Sequence, residues 1–289
     1  MMAAALVEAS DLTKAYPVRS RLLRRRIGET TVVDGVDLTV AAGEIVGLVG
    51  ESGSGKSTIG RMLLGLLPVS GGTVCFEGRD VTHPTAGELR SLRTARQMIF
   101  QDPYASLNPR MTVAATVREV LDVNRIGEAA QRSRRVAELF DLVRLQPEHL
   151  QRLPHELSGG QRQRVCIARA LATSPRFLVA DEALASLDVS IQAQIADLLL
   201  DLREELGIAC LFITHDLAMA GYMCDRVVVL QRGRVVEHGD AHSVLLGPRD
   251  EYTRELIRAV PAAHIGARLT GGDDLAAPAR PHGHKEEHA

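Results

Sequence analysis

The spacing of apolar and polar residues along the chain predicts two kinds of element. Eight short runs have the apolar, β-branched character typical of strands. They are residues 32–40, 44–50, 73–77, 97–101, 177–181, 210–214, 226–231 and 234–237. Between them apolar residues recur at steps of three and four, which predicts helices. Strands that alternate with helices in this way predict an α/β core with parallel strands.

The helical pattern is not spread evenly along the chain. It is clearest after Ser190, where apolar residues recur until Gly207 ends the predicted helix. Residues 102–173 carry several helical patterns and little strand signal, so we expect a helical insertion there. After Gly239 the pattern weakens to one short predicted helix at 252–260. We therefore expect a folded domain at 1–245 and a C-terminal extension at 246–289 that ends in a disordered tail.

Composition excludes several classes of protein. The 289 residues are 45% hydrophobic and 24% charged, as in soluble globular chains. A net charge of −2 argues against duplex binding, and nine aromatic residues (four Tyr, five Phe) argue against a base-stacking surface, so we expect no nucleic-acid partner. No apolar run approaches the roughly 20 residues of a membrane span. The four cysteines have no metal-ligand spacing, which fits a reducing cytoplasm.

One segment fits the phosphate-binding pattern G-x-x-x-x-G-K-[ST]. It reads GESGSGKS over residues 50–57, after an apolar strand and before a predicted helix. Its glycines let backbone N–H groups surround phosphate oxygens, and the helix N-terminus adds its positive dipole end. In this pattern Lys56 bridges the β- and γ-phosphates, and the Ser57 hydroxyl holds Mg²⁺.

A second segment supplies the carboxylates that a nucleoside triphosphate site requires. The predicted strand 177–181 ends in Asp181, which Glu182 follows. Ligands of α/β proteins bind at the carboxyl ends of parallel strands, so we expect Asp181 beside the phosphate loop and on the metal. Glu182 points elsewhere and is free to polarise an attacking water as general base.

A third segment decides which triphosphatase the chain resembles. No N-K-x-D guanine motif is present, whereas residues 157–161 read LSGGQ at the start of a predicted helix. With the other motifs in the same order, the chain resembles the ATP-binding subunits of ABC transporters over about residues 6–260. That resemblance implies a P-loop NTPase (RecA-like) core with an antiparallel β subdomain and an inserted α-helical subdomain. It also implies ATP and Mg²⁺ as ligands.

The resemblance assigns roles residue by residue. It implies that Tyr16 stacks on adenine, that Gln101 contacts Mg²⁺ and the lytic water, and that His215 acts as a switch near the γ-phosphate. Phosphate contacts are implied for Gly50, Gly53, Gly55, Lys56, Ser57 and Thr58 of the loop.

Other implied residues act across a pair of chains. Ser158 and Gly160 grip the γ-phosphate bound by the opposite subunit, and Asp188 lies across the dimer interface. The physics agrees, because SGGQ at a helix start is a second anion cradle with an N-cap hydroxyl. Two such cradles in one chain are explained if each ATP lies between two chains that pair head to tail.

Further motifs resemble the oligopeptide, dipeptide and nickel importer group, and its second type of ATPase. They are IFQDPYASLNPRMTV and a downstream P-x-x-x-Y-T-x-x-L-I-x-A-V-P. The resemblance implies membrane permeases, a second and different ATPase chain, an indirectly coupled extracytoplasmic substrate-binding protein, and a peripheral location on the cytoplasmic face of the membrane. Peptide, nickel and opine systems share these motifs.

One departure limits the resemblance. Relatives commonly read D-E-[PA]-x-S-A-L-D where this chain reads DEALASLD, so Ala185 and Ser186 are exchanged.

Among the alternatives, a DNA-repair or chromosome ATPase requires a long coiled coil between Lys56 and Asp181, for which there is no heptad pattern. An exporter ATPase is often fused to membrane spans, and a regulatory ABC ATPase is a further alternative.

Overall fold

Two β-sheets organise the fold. The computed structural model describes residues 5–19 and 26–259, and the strands in that part of the chain are labelled in order. They are β1 (Ala5–Arg19), β2 (Arg26–Ala41), β3 (Ile45–Val49), β4 (Gly71–Phe76), β5 (Arg79–Asp80), β6 (Arg96–Ile99), β7 (Phe177–Asp181), β8 (Ala209–Thr214), β9 (Arg226–Gln231) and β10 (Arg234–Asp240).

Helices connect and cover these strands. In chain order they are α1 (Lys56–Leu63), α2 (Ala86–Ala95), α3 (Pro103–Ser106), α4 (Val113–Asn124), α5 (Ala129–Leu142), α6 (Gly159–Leu171), α7 (Val189–Leu206), α8 (Leu217–Met223), α9 (Ala241–Leu246) and α10 (Glu251–Arg258). None of these helices is long and apolar enough to cross a membrane.

The larger sheet carries the predicted α/β core. Its strand order is β10-β9-β3-β8-β7-β6, and all neighbours are parallel except β10 and β9. Val49 pairs with Thr214, and Asp181 pairs with Ile213, so the carboxyl ends of β3, β8 and β7 lie at one edge. This arrangement confirms the predicted fold class and fixes the edge on which the site is built.

The smaller sheet is antiparallel, in the order β2-β1-β4-β5. Its strand β1, which contains Tyr16, was not among the predicted strands. The physical reason is that β1 pairs with β2 through several register shifts, including one between Ala9 and Leu12. Such bulges break the alternation of apolar and polar residues from which strands are predicted.

Helices α3 to α6 lie between β6 and β7, in the interval where a helical insertion is expected. Their apolar side chains, such as Val117, Leu139 and Phe140, belong to the same buried cluster as Ile45 of β3. The expected boundary at residue 245 falls inside α9, and Tyr252 of α10 also belongs to this cluster. The tail expected to be disordered, residues 261–289, lies outside the described residues.

Candidate functional site

The loop between β3 and α1 approaches neighbouring backbone too closely for side chains. Gly50 has φ +146°, and a Cβ there would lie 2.1 Å from the carbonyl oxygen of Leu230. Gly55 has φ +109°, and its Cβ would lie 2.8 Å from the carbonyl oxygen of Val32. Because Gly55 is also the N-cap of α1 and has no side chain, the first backbone N–H groups of α1 are not capped by a side chain. Those donors form an anion-binding cradle.

Lys56 opens α1 and is nearly buried, with 4% of its surface exposed. Its Nζ donates to the carbonyl oxygens of Gly50 and Glu51, each at a distance of 2.7 Å. Burial lowers the pKa of Lys56, and the nearby Glu182 and Asp181 carboxylates oppose this change. The ammonium group is therefore held by two neutral carbonyl oxygens, so its positive charge remains available to attract a bound anion.

Ser57 and Asp181 join the loop to the end of β7. The Ser57 hydroxyl donates to Oδ1 of Asp181 at a distance of 2.7 Å, and Asp181 is 5% exposed. Burial raises the pKa of Asp181, although the Ser57 hydrogen bond and the charges of Arg61 and Lys56 oppose this change. A buried carboxylate beside a hydroxyl is an oxygen donor set that suits Mg²⁺. Within residues 5–19 and 26–259, no group of three His, Cys, Asp or Glu side chains forms an alternative metal site.

Glu182, the next residue, has a left-handed backbone with φ +47° and turns away from Asp181 into a separate group of side chains. Its Oε2 accepts a hydrogen bond from Nε2 of Gln101 at a distance of 2.8 Å. Its Oε1 lies 3.6 Å from Nδ1 of the exposed His215. Gln101 and His215 follow β6 and β8, the two neighbours of β7. A cavity of about 440 Å³, lined partly by Gln101, Asp181 and Arg61, lies beside this group.

The predicted signature residues form a separate group. Ser158 caps α6 in a reciprocal capping box, since its Oγ accepts from the N–H of Gln161 and its own N–H donates to the Gln161 side chain over 2.9 Å. Gly160 is buried, and a Cβ there would lie 2.7 Å from Ile191 of α7, whose N-cap is Asp188. Among the described residues, no hydrogen bond or ion pair joins this group to the phosphate loop.

Tyr16 belongs to the smaller, antiparallel sheet. It lies on β1 with 40% of its surface exposed, and Nζ of Lys14 lies 5.2 Å from its ring centroid. Sequence analysis missed two aromatic contacts. The Tyr104 ring stacks 3.8 Å from the Arg162 guanidinium, and the Tyr252 hydroxyl contacts the backbone of Glu51. The signals in the sequence that point to these positions are the scarcity of aromatic residues and the two importer-group motifs, which contain Tyr104 and Tyr252.

Comparison with known proteins identifies the family. The model of the family described as "ABC transporter" matches residues 33–185, which include the phosphate loop, the signature segment and Asp181 with Glu182. The chain belongs to the ABC transporter family. This family member is 46% identical over 281 residues to a putative peptide import ATP-binding protein of Brucella ovis, an alignment that covers 96% of this chain and 86% of the relative.

Other relatives of this ABC family member are longer. It is 46% identical over 274 residues to the glutathione import ATP-binding protein GsiA of Salmonella typhi, covering 93% of this chain and 44% of that protein. The chain thus spans less than half the length of these relatives.

Among solved structures, similarity extends to a dimeric ATP-binding cassette, MJ0796, in a post-hydrolysis state bound to ADP and Pi. That chain has a TM-score of 0.71 and 29% identity, with 81% of this chain and 98% of that chain covered. CbiO1 of Clostridium perfringens, part of the ABC transporter complex cbiONQ, has a TM-score of 0.74 and 26% identity, with 92% and 99% covered.

Proposed function

We propose that the chain is the ATP-hydrolysing subunit of an importer that moves peptides, or a related small solute, through a membrane permease. The observation that carries this proposal is the convergence of two pairs at one sheet edge. Ser57 with Asp181 supplies a metal position, and Gln101 with Glu182 supplies a base, beside the buried Lys56. These are the parts that triphosphate hydrolysis requires.

In this proposal the phosphate loop binds the triphosphate of ATP. The open N–H groups of α1, with Gly53 and Thr58 in the same segment, contact phosphate oxygens. Lys56 exchanges its two carbonyl acceptors for the β- and γ-phosphates, which is favourable because burial has already removed it from water. Ser57, Asp181 and Gln101 would hold Mg²⁺, which neutralises charge on the β- and γ-phosphates when it is bound.

Glu182 is the general base for the attacking water. The Gln101 amide fixes one carboxylate oxygen by its hydrogen bond and so orients the carboxylate. His215, at 3.6 Å from the other oxygen, adjusts the position of the carboxylate and contacts the γ-phosphate region. Lys56 stabilises the charge that develops on the transferred phosphoryl group.

A second ATPase subunit completes each site in a head-to-tail pair. The signature group, with Ser158 exposed at the N-terminus of α6, makes no hydrogen bond or ion pair with the phosphate loop within the described part of its own chain. It therefore serves the ATP bound by the partner, as the resemblance implies. Asp188, exposed at the N-terminus of α7, lies on the same interface. Closing the pair on ATP and opening it after hydrolysis would drive the permease.

A groove between α2 and α4 is the proposed contact with the permease. It has a volume of about 680 Å³ and is lined partly by Leu66, Phe100 and Val123, which are 49%, 41% and 69% exposed. Such exposed apolar side chains around a groove fit a short amphipathic helix of a membrane subunit. This contact would place the chain on the cytoplasmic face of the membrane, with the extracytoplasmic substrate-binding protein on the other side.

The proposal is tested by identifying the membrane proteins that copurify with the chain after mild detergent extraction. We expect permease subunits, and we expect Val123→Asp to reduce their recovery about tenfold or more without changing ATP binding. Exposed Leu246 on α9 is a matched control, and Leu246→Asp should not affect recovery. A set of partners without permeases would contradict the importer assignment.

A further inference from the structure

The C-terminal helix α10 contacts the phosphate loop through Tyr252. The backbone N–H of Glu51, the residue after Gly50, donates to the Tyr252 hydroxyl oxygen at a distance of 3.1 Å. The two residues are 201 positions apart, and Tyr252 is 8% exposed. A phenol oxygen is a good acceptor for a backbone N–H group. The contact therefore satisfies a loop donor that no neighbouring residue in sequence satisfies.

Tyr252 is itself held in place by several polar contacts. Oδ1 of Asp250 caps α10 by accepting from the N–H of Tyr252 over 2.9 Å. The carboxylate of Glu237, on β10, accepts from the N–H groups of Arg249 and Asp250 over 2.8 and 3.2 Å. The α10 side chains Leu256 and Ile257 pack against the buried cluster that contains Ile45. The hydroxyl is thus fixed relative to the parallel sheet.

The peptide group that Tyr252 contacts also contacts Lys56. The N–H of Glu51 and the carbonyl of Gly50 belong to one trans peptide, so they point in opposite directions. Tyr252 binds the N–H, while the Gly50 carbonyl accepts from Lys56 Nζ over 2.7 Å. Gly50 has φ +146°, a region that only glycine enters readily, so its own conformational preference does little to fix this peptide.

We propose that Tyr252 is a positioning residue of the phosphate site, acting through the Gly50–Glu51 peptide on the loop and on Lys56. This inference rests on the proposed function, because it assigns a role in ATP binding. Loss of the hydroxyl frees the peptide to rotate, and the loop then pays an ordering cost when it binds phosphate. The effect is confined to the triphosphate, since the contact involves the loop and not the region of Tyr16.

The test is Tyr252→Phe, which keeps the packed ring and removes the acceptor. We expect the Kd for ATP to rise about fivefold, the size of one lost hydrogen bond. Inorganic triphosphate should weaken by the same factor, and kcat at saturating ATP should stay within about twofold, a split between binding and turnover. Tyr222→Phe is the matched control, because its hydroxyl bonds Asp197 on α7.

Each outcome is distinguishable. Unchanged Kd values for both ligands in Tyr252→Phe would overturn the inference while leaving the proposed function intact. A loss of affinity that follows a lower Tm, with kcat falling in parallel, would show a merely structural role and would also overturn it. A wild-type chain that binds neither ATP nor triphosphate would overturn the proposed function, and the inference with it.

Discussion

The side-chain amide of Gln101 donates to the carboxylate of Glu182 at a distance of 2.8 Å, beyond the carboxyl ends of the neighbouring parallel strands β6 and β7. Glu182 is brought to this position by a left-handed backbone turn after Asp181, which itself bonds Ser57. Two consecutive carboxylates thus have different partners: Asp181 bonds Ser57 at the proposed metal position, whereas Glu182 bonds Gln101 and lies near His215. This divergence is what allows one strand end to supply both a metal ligand and a base.

Tyr16 is expected to bind the adenine ring. Tyr16→Ala should weaken ATP about tenfold, because stacking on a base contributes about 1–3 kcal/mol, and should leave inorganic triphosphate unaffected. Tyr16→Phe is the control that retains the ring and should bind ATP normally. Isothermal titration of both ligands measures the difference, and equal weakening of ATP and triphosphate would mean that Tyr16 does not stack on the base.

Asp181 is expected to reduce the stability of the nucleotide-free chain. Burial raises the pKa of Asp181, so the folded chain binds this proton more tightly than the unfolded chain does. The carboxyl group therefore contributes to the free energy of unfolding at low pH, and that contribution is lost as pH rises through the raised pKa. At neutral pH the ionised, buried carboxylate is destabilising until a cation neutralises it.

The corresponding variant is Asp181→Asn, which retains an acceptor for Ser57. At neutral pH and without ligands its Tm should be about 2–4 °C above wild type, equivalent to roughly 1 kcal/mol in a chain of this size. The difference should shrink as pH falls through the raised pKa of Asp181 and should largely disappear below about pH 4, the ordinary pKa of an Asp carboxyl. Addition of MgATP should stabilise wild type but not the variant. A Tm below wild type at neutral pH would contradict this account of the buried charge.

The shared site makes a prediction about pairs formed by two copies of this chain, in which each copy takes the place of the different second ATPase. Lys56→Ala and Ser158→Arg should each be inactive alone, whereas a mixed pair contains one site with both residues intact. Random mixing should restore about a quarter of the wild-type hydrolysis rate, since half of the pairs are mixed and each has one good site. Size-exclusion chromatography verifies that pairs form, and paired but inactive mixtures would mean that the two residues serve the same ATP within one chain.

Much of the site is predictable because it is built from local motifs at strand ends. The loop at 50–57 and the strand before Asp181 are contiguous in sequence, and parallel strands bring their carboxyl ends together. The same rule accounts for Gln101 and His215, which follow β6 and β8. These placements require strand order and direction but no knowledge of individual contacts.

Other features depend on information that hydrophobic periodicity does not carry. Strand β1 was missed because bulges interrupt its alternation, and α2 has only a weak apolar pattern because none of its residues is buried. The capping box of Thr85 and Glu88 was the available signal for α2. The contact between Tyr252 and Glu51 joins positions 201 residues apart, and the packing of α10 determines it.

Steady-state hydrolysis by Glu182→Gln tests the central claim, that this chain hydrolyses ATP with Glu182 as base. The variant should bind ATP within about threefold of wild type, lose at least about a hundredfold in turnover, and accumulate as an ATP-bound pair. Exposed Glu205 on α7 supplies the matched control, and Glu205→Gln should retain wild-type turnover. Normal steady-state hydrolysis by Glu182→Gln would contradict the assignment of the base.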